Sequence, residues 1–94
     1  MEELHCRISG MVQGVGFRYS ALTRARRLGL TGWVRNLPGG DVETRAFGDA
    51  GGIQAYRSWL DGGPPSAVVR DVEVITLRQV ERGTEIPRDF IIAG

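Results

Sequence analysis

Apolar and polar residues alternate loosely over residues 4–12. Leu4, Cys6 and Ile8 fall on one face, His5, Arg7 and Ser9 on the other, and the pattern predicts a first strand. The period then changes. Phe17, Ala21, Leu22, Ala25 and Leu28 recur at helical spacing while Arg24, Arg26 and Arg27 fall largely off that stripe, so a helix is expected over residues 19–28, stopped by Gly29. Residues 30–36 and 41–47 read as a hairpin around Leu37-Pro38-Gly39-Gly40, where proline fixes one turn dihedral and glycine permits positive φ. Asp49 is placed to cap a second helix with the stripe Ile53, Tyr56, Trp59 and Leu60, although Gly51 and Gly52 weaken its first turn. Gly62-Gly63-Pro64-Pro65 ends it. The β-branched run at 68–77 predicts a fourth strand, 81–89 a polar surface loop, and Phe90-Ile91-Ile92 a short fifth strand.

Strand, helix, strand, strand, helix, strand is the split βαβ order of an α+β, ferredoxin-like βαββαβ sandwich. Right-handed crossovers then put the first and third strands at the centre of an antiparallel sheet with both helices on one face. Ninety-four residues fit one such domain, spanning 1–94. The fold hosts RNA binders, metal chaperones and enzymes, so function has to be read from the site.

Composition removes several classes. Twelve basic residues nearly balance eleven acidic ones, and a net charge of +1 gives no general pull toward nucleic acid or an anionic membrane. Every basic residue apart from His5 is an arginine, which excludes Schiff-base or P-loop lysine chemistry and leaves a planar, always-charged fork suited to phosphate. One cysteine and one histidine build neither a disulfide nor a metal site, so no metal or cofactor is expected. With no signal peptide or stretch of membrane-spanning length, the expected address is cytoplasmic and the expected state a monomer.

The chemistry concentrates where the first strand meets the first helix. In Gln13-Gly14-Val15-Gly16-Phe17-Arg18, small residues let the backbone curl around an anion, with inward N–H groups, a helix N-terminus and the Arg18 guanidinium around it. Neither a Walker loop nor a dinucleotide fingerprint is present. Spacing alone leaves open a plain glycine turn. It also leaves Asn36, before Leu37-Pro38, as an ordinary turn residue.

Two longer patterns weigh against those plain readings. Gly10-x-Val12-Gln13-Gly14-Val15-x-Phe17-Arg18 resembles the first signature of the acylphosphatase family, and Gly32-Trp33-Val34-Arg35-Asn36-x-x-x-Gly40-x-Val42-Glu43 resembles the second. The resemblance runs through Gly62-Gly63-Pro64-Pro65 and Val72-Glu73-Val74 to Phe90, and departs at Gly39, where the family usually has a turn aspartate, and at Met11, often basic. It implies hydrolysis of an acyl phosphate to carboxylate and orthophosphate, without metal or phosphoenzyme. By the same resemblance, Arg18 and the backbone of 13–17 (Gln13, Gly14, Val15, Gly16, Phe17) hold the phosphoryl group and Asn36 orients the water. A carboxylate leaves as a weak base, so positioning and charge stabilisation suffice. The alternative is capture of carbamoyl phosphate or another phosphorylated ligand without turnover, as in similar domains of larger maturation proteins; the absence of a downstream zinc or transferase region argues for the enzyme.

Other residues read plainly. Cys6 is a core residue, His5 a solvated strand residue, Trp33, Tyr56, Trp59 and Phe90 core or core edge, and Arg24, Arg26 and Arg27 one solvated basic helical face. RNA binding on the open sheet is disfavoured because the central strands offer only Phe47.

Overall fold

In the computed structural model, covering residues 1–94, the elements follow the predicted order with small shifts at their ends. They are β1 (Glu2–Met11), α1 (Phe17–Arg27), β2 (Thr31–Asn36), β3 (Val42–Gly48), α2 (Ala50–Gly62), β4 (Val68–Gln79) and β5 (Phe90–Ile92). The sheet order is β4-β1-β3-β2-β5. β1 and β3 lie inside the sheet as expected, paired antiparallel from Glu2 opposite Gly48 to Ile8 opposite Val42. One expectation needs correction: the sheet is mixed, because β5 joins β2 in parallel, Trp33 opposite Ile91. β4 runs against β2 and ends where β2 begins, and the 80–89 connection crosses to the opposite edge at that same end of the sheet, so β5 runs with β2.

The core follows from the alternation that predicted the strands. Leu4, Cys6 and Ile8 of β1, Val34 of β2 and Val42 and Ala46 of β3 are buried against Phe17, Ala21 and Ala25 of α1 and Ile53, Tyr56 and Leu60 of α2. Thr44 enters this core because its hydroxyl is satisfied. It donates to the Trp33 carbonyl at 2.9 Å and accepts from the Tyr56 phenol at 2.8 Å. Burial pushes that phenol well above its ordinary pKa, and it pushes the Cys6 thiol up to about 11, so Cys6 is an inert core residue.

The α2 start shows why Gly52 is tolerated. Asp49 accepts from the Gly52 N–H at 2.7 Å, and a Cβ on Gly52 would come within 3.0 Å of the Leu30 side chain and 3.1 Å of the Leu28 carbonyl. Close packing favours the glycine that helix propensity disfavours.

The other sheet face carries a lattice of charges. Glu43 receives Arg35 from β2 at 2.7 Å and His5 from β1 at 2.6 Å, while Arg45 reaches His5 Nδ1 at 3.1 Å. Glu3 joins Arg45 to Arg78, and Arg7 pairs with Asp41. His5 is therefore largely covered, its side chain 13% exposed and edge-on to Trp33, and it is not the solvated residue its position suggested. Trp33 lies on this face rather than in the core, under the Arg35 guanidinium.

Burial alone would raise the Glu43 carboxyl, but hydrogen bonds from His5 and Arg35, with their charges, outweigh it and hold the group below the ordinary glutamate value. A depressed folded-state pKa contributes stability that is present above the unfolded value of about 4.3 and lost as pH falls through the folded one. Urea unfolding of wild type and Glu43→Gln should show a clear stability gap at pH 7 that narrows at pH 3. An equal gap at both pH values would mean that the carboxylate charge contributes nothing.

Candidate active site

The site forms where β1 hands over to α1. Gly14 and Gly16 adopt φ of 75° and 77° on either side of Val15, and a Cβ at either would meet nothing within 4 Å. These glycines are required by conformation, not by space. Left-handed glycines flanking one ordinary residue turn successive N–H groups to the same side and form an anion-binding concavity. The N–H groups of residues 13–16 donate to no protein acceptor, and those of the first turn of α1 have no intrahelical partner. They are donors left without a protein partner.

The signature glycines within strands, Gly10 and Gly32, serve packing. A Cβ on Gly10 would lie 2.1 Å from the Val68 carbonyl oxygen, where the β1–β4 register slips, and one on Gly32 would lie 2.0 Å from the Arg45 carbonyl oxygen. Each lets a neighbouring strand come close. The two halves of the signature thus separate into a sheet part and a loop part.

The concavity opens into a cavity of about 210 Å³. Gly14, Gly16, Arg18, Tyr19 and Asn36 line it, with Val12, Phe17 and Ile92 as apolar wall. A water's share of liquid is about 30 Å³, so the cavity has room for a phosphoryl group and a water beside it. Arg18 takes part in none of the ion pairs or side-chain hydrogen bonds of the chain, and its charge is available to a ligand. Asn36 Oδ1 is buried without a hydrogen-bond partner. Thr31 Oγ1 and Arg45 Nε are also unpartnered, but of these residues only Asn36 lines the cavity.

Arg18 and Asn36, far apart in sequence, thus share one cavity with Gly14, Gly16 and Phe17. Gln13 and Val15 belong to the loop but do not line the cavity, and both brace it. The Gln13 carboxamide donates to the Leu37 carbonyl at 2.8 Å and the Asp41 carbonyl at 2.7 Å, tying the loop to the hairpin that follows Asn36. On the opposite side the Ser66 hydroxyl donates to the Val15 carbonyl at 2.7 Å. Neither brace has a local sequence signal, because each joins segments distant in the chain. Arg35 stays outside the site, paired with Glu43. No group of three histidine, cysteine or carboxylate side chains is placed to hold a metal ion.

Fold and site together define a ferredoxin-like sandwich whose first crossover is an anion-receptive loop facing an asparagine from the second strand. The profile of the acylphosphatase family matches residues 4–92. An acylphosphatase from Trichormus variabilis is 52% identical over 71 residues, covering 76% of this chain and 70% of its own. The crystal structure of acylphosphatase from Bacillus subtilis superposes over the full length of both chains with a TM-score of 0.89 at 33% identity. Full-length HypF in its phosphate- and nucleotide-bound form contains a similar unit, with a TM-score of 0.83 and 30% identity, covering 99% of this chain and 12% of that one. The chain belongs to the acylphosphatase family, and the enzyme class that goes with it is an acylphosphatase.

The Gln13 brace is directly testable. Gln13→Ala removes two hydrogen bonds from partly buried carbonyls and should cost about 1–2 kcal/mol, read as a lower urea midpoint at unchanged slope. An unmoved midpoint would show that loop and hairpin hold together without it.

Proposed function

We propose that the 13–18 loop and Arg18 hold the phosphoryl group of an acyl phosphate while Asn36 orients the attacking water. The observation that carries this reading is the unpartnered Asn36 oxygen in a cavity whose facing wall offers free N–H groups and a free guanidinium.

The chemistry asks little more of the protein. Loop N–H groups and the Arg18 fork take the phosphate oxygens, and the helix N-terminus adds partial positive charge where negative charge is concentrated. Asn36 Oδ1 accepts a hydrogen bond from the water and turns its oxygen toward phosphorus. The new phosphorus–oxygen bond forms as the bond from phosphorus to the carboxyl oxygen breaks; the electron pair leaves on the carboxylate and the water's proton passes to a phosphate oxygen. Products are carboxylate and orthophosphate. Because the leaving group is already a weak base, rate enhancement rests on positioning and on donors arranged before the reaction begins.

A similar unit within HypF, a protein described in a phosphate- and nucleotide-bound form, prompts a second reading, in which the same loop binds a phosphorylated ligand without turnover. One assay separates the two. Wild type should release phosphate from benzoyl phosphate in the presence of EDTA, and Arg18→Ala and Asn36→Ala should each lower kcat/KM by at least about a hundredfold, the scale for losing a charge-stabilising donor in the first and the positioning of a reactant in the second. Full activity in either variant would remove that residue from the mechanism. Phosphate binding by wild type without hydrolysis would leave the binding reading standing.

A further inference from the structure

Beside the phosphate cavity runs a second and larger one of about 280 Å³, bounded by α1, by Trp59 of α2 and by Pro64 and Pro65. The two cavities share Tyr19, a residue 69% exposed at the boundary. From that boundary the groove follows α1. Arg24 and Arg27 stand five and eight residues beyond Tyr19, roughly 7 and 12 Å along the helix axis.

The basic face of α1 that the sequence presented as one patch is in fact divided. Arg26 turns to β5, donating to the Phe90 carbonyl at 3.0 Å and pairing with Asp89 at 3.2 Å. Arg24 and Arg27 turn to the groove and make no ion pair or hydrogen bond with the protein; Arg24 rests over the Trp59 ring at 5.8 Å. No carboxylate lines the groove. Two uncompensated guanidinium groups, an indole and two prolines give a cleft with an apolar wall and a cationic end, next to the place where the phosphoryl group binds.

We infer that this groove is the subsite for the acyl part of the substrate, and that it selects planar or apolar acyl groups ending in an anion, a carboxylate above all. This inference rests on the proposed phosphate site, because the acyl group must pass Tyr19 to reach it. The apolar body lies along Trp59 and the prolines, and the distal carboxylate is met by the forks of Arg24 and Arg27. An exposed pair of this kind is weakened by salt.

The test compares benzoyl phosphate with 4-carboxybenzoyl phosphate, using wild type and the double variant Arg24→Gln/Arg27→Gln. Both arginines are exposed, so folding should survive their replacement. The double variant should lose about tenfold in kcat/KM on the carboxylated substrate, through KM, with benzoyl phosphate unchanged. In wild type the advantage of the carboxylated substrate should shrink as ionic strength rises. Equal effects of the double variant on both substrates, or none on either, would overturn the subsite and leave the phosphate site untouched.

A binding arm keeps the two readings apart. Calorimetry with benzylphosphonate and 4-carboxybenzylphosphonate should show the same discrimination, lost in the double variant. If neither acyl phosphate is hydrolysed but the phosphonates are still discriminated, the hydrolytic reading falls and the subsite stands. If the phosphonates are not discriminated, the subsite falls whatever the assay shows.

Discussion

The backbone N–H groups of residues 13–16 have no partner in the protein, and that constraint organises much of what surrounds them. Unpaired donors are costly when shut away from solvent, so the loop must stay open on one side. A loop left open on one side needs bracing on the others. Gln13 supplies one anchor to the hairpin carbonyls, Ser66 another to the Val15 carbonyl, and Phe17, 1% exposed, fixes the start of α1 in the core. The left-handed glycines then set the direction in which the free donors point. A concavity of this kind is formed before any anion arrives, so little ordering remains to be done on binding.

The same division between satisfied and unsatisfied polar groups separates the two faces of the sheet. One face is covered by helices and contains a single hydroxyl pair, Thr44 with Tyr56, whose bonds are complete. The other is uncovered, and its arginines are matched by Glu3, Asp41 and Glu43 across neighbouring strands. An arginine spent on a carboxylate offers little to a phosphate. The free guanidinium groups that matter lie instead along α1, at Arg18 in the small cavity and at Arg24 and Arg27 in the larger one. A net charge of +1 therefore conceals a local concentration of positive charge at one place on the surface.

What could be read in advance follows the range of each interaction. Alternation and helical spacing act between near neighbours, so element order, the inward strands and the Asp49 cap were all legible. The two residues proposed to carry the site, Arg18 and Asn36, stand out in the sequence only because each sits in a longer pattern; as single residues they look like any helix arginine and any turn asparagine. The glycines were visible but their reasons were not. Gly14 and Gly16 need only their dihedrals, whereas Gly10 and Gly32, also at positive φ, need in addition the absence of a side chain against a neighbouring strand, which only the register reveals. His5, Trp33 and Arg26 were misjudged for a related reason: their partners, Glu43, Arg35 and Phe90, come from other strands or from the far end of the chain. Local pattern indicates which face a residue takes, not what it meets there.

Those long-range partners also explain how so small a chain can hold two groups in register across a cavity. From Arg18, α1 runs to Arg26, which grips the Phe90 carbonyl. Phe90 lies in β5, which pairs with β2, and the Ala93 N–H closes that end on the Val34 carbonyl at 2.9 Å, two residues before Asn36. From Asn36 the hairpin returns through Leu37 and Asp41 to Gln13, and Gln13 leads back through the loop to Arg18. The connections form a closed ring around the cavity, so neither wall can shift without straining a hydrogen bond in the circuit. The parallel β5, only three residues long and the least marked strand in the sequence, is the link that completes it. Where catalysis depends on holding a water and a phosphoryl group in fixed relation, a positional error of an ångström is expensive in rate. The short fifth strand and its arginine clamp belong to the site as much as to the sheet.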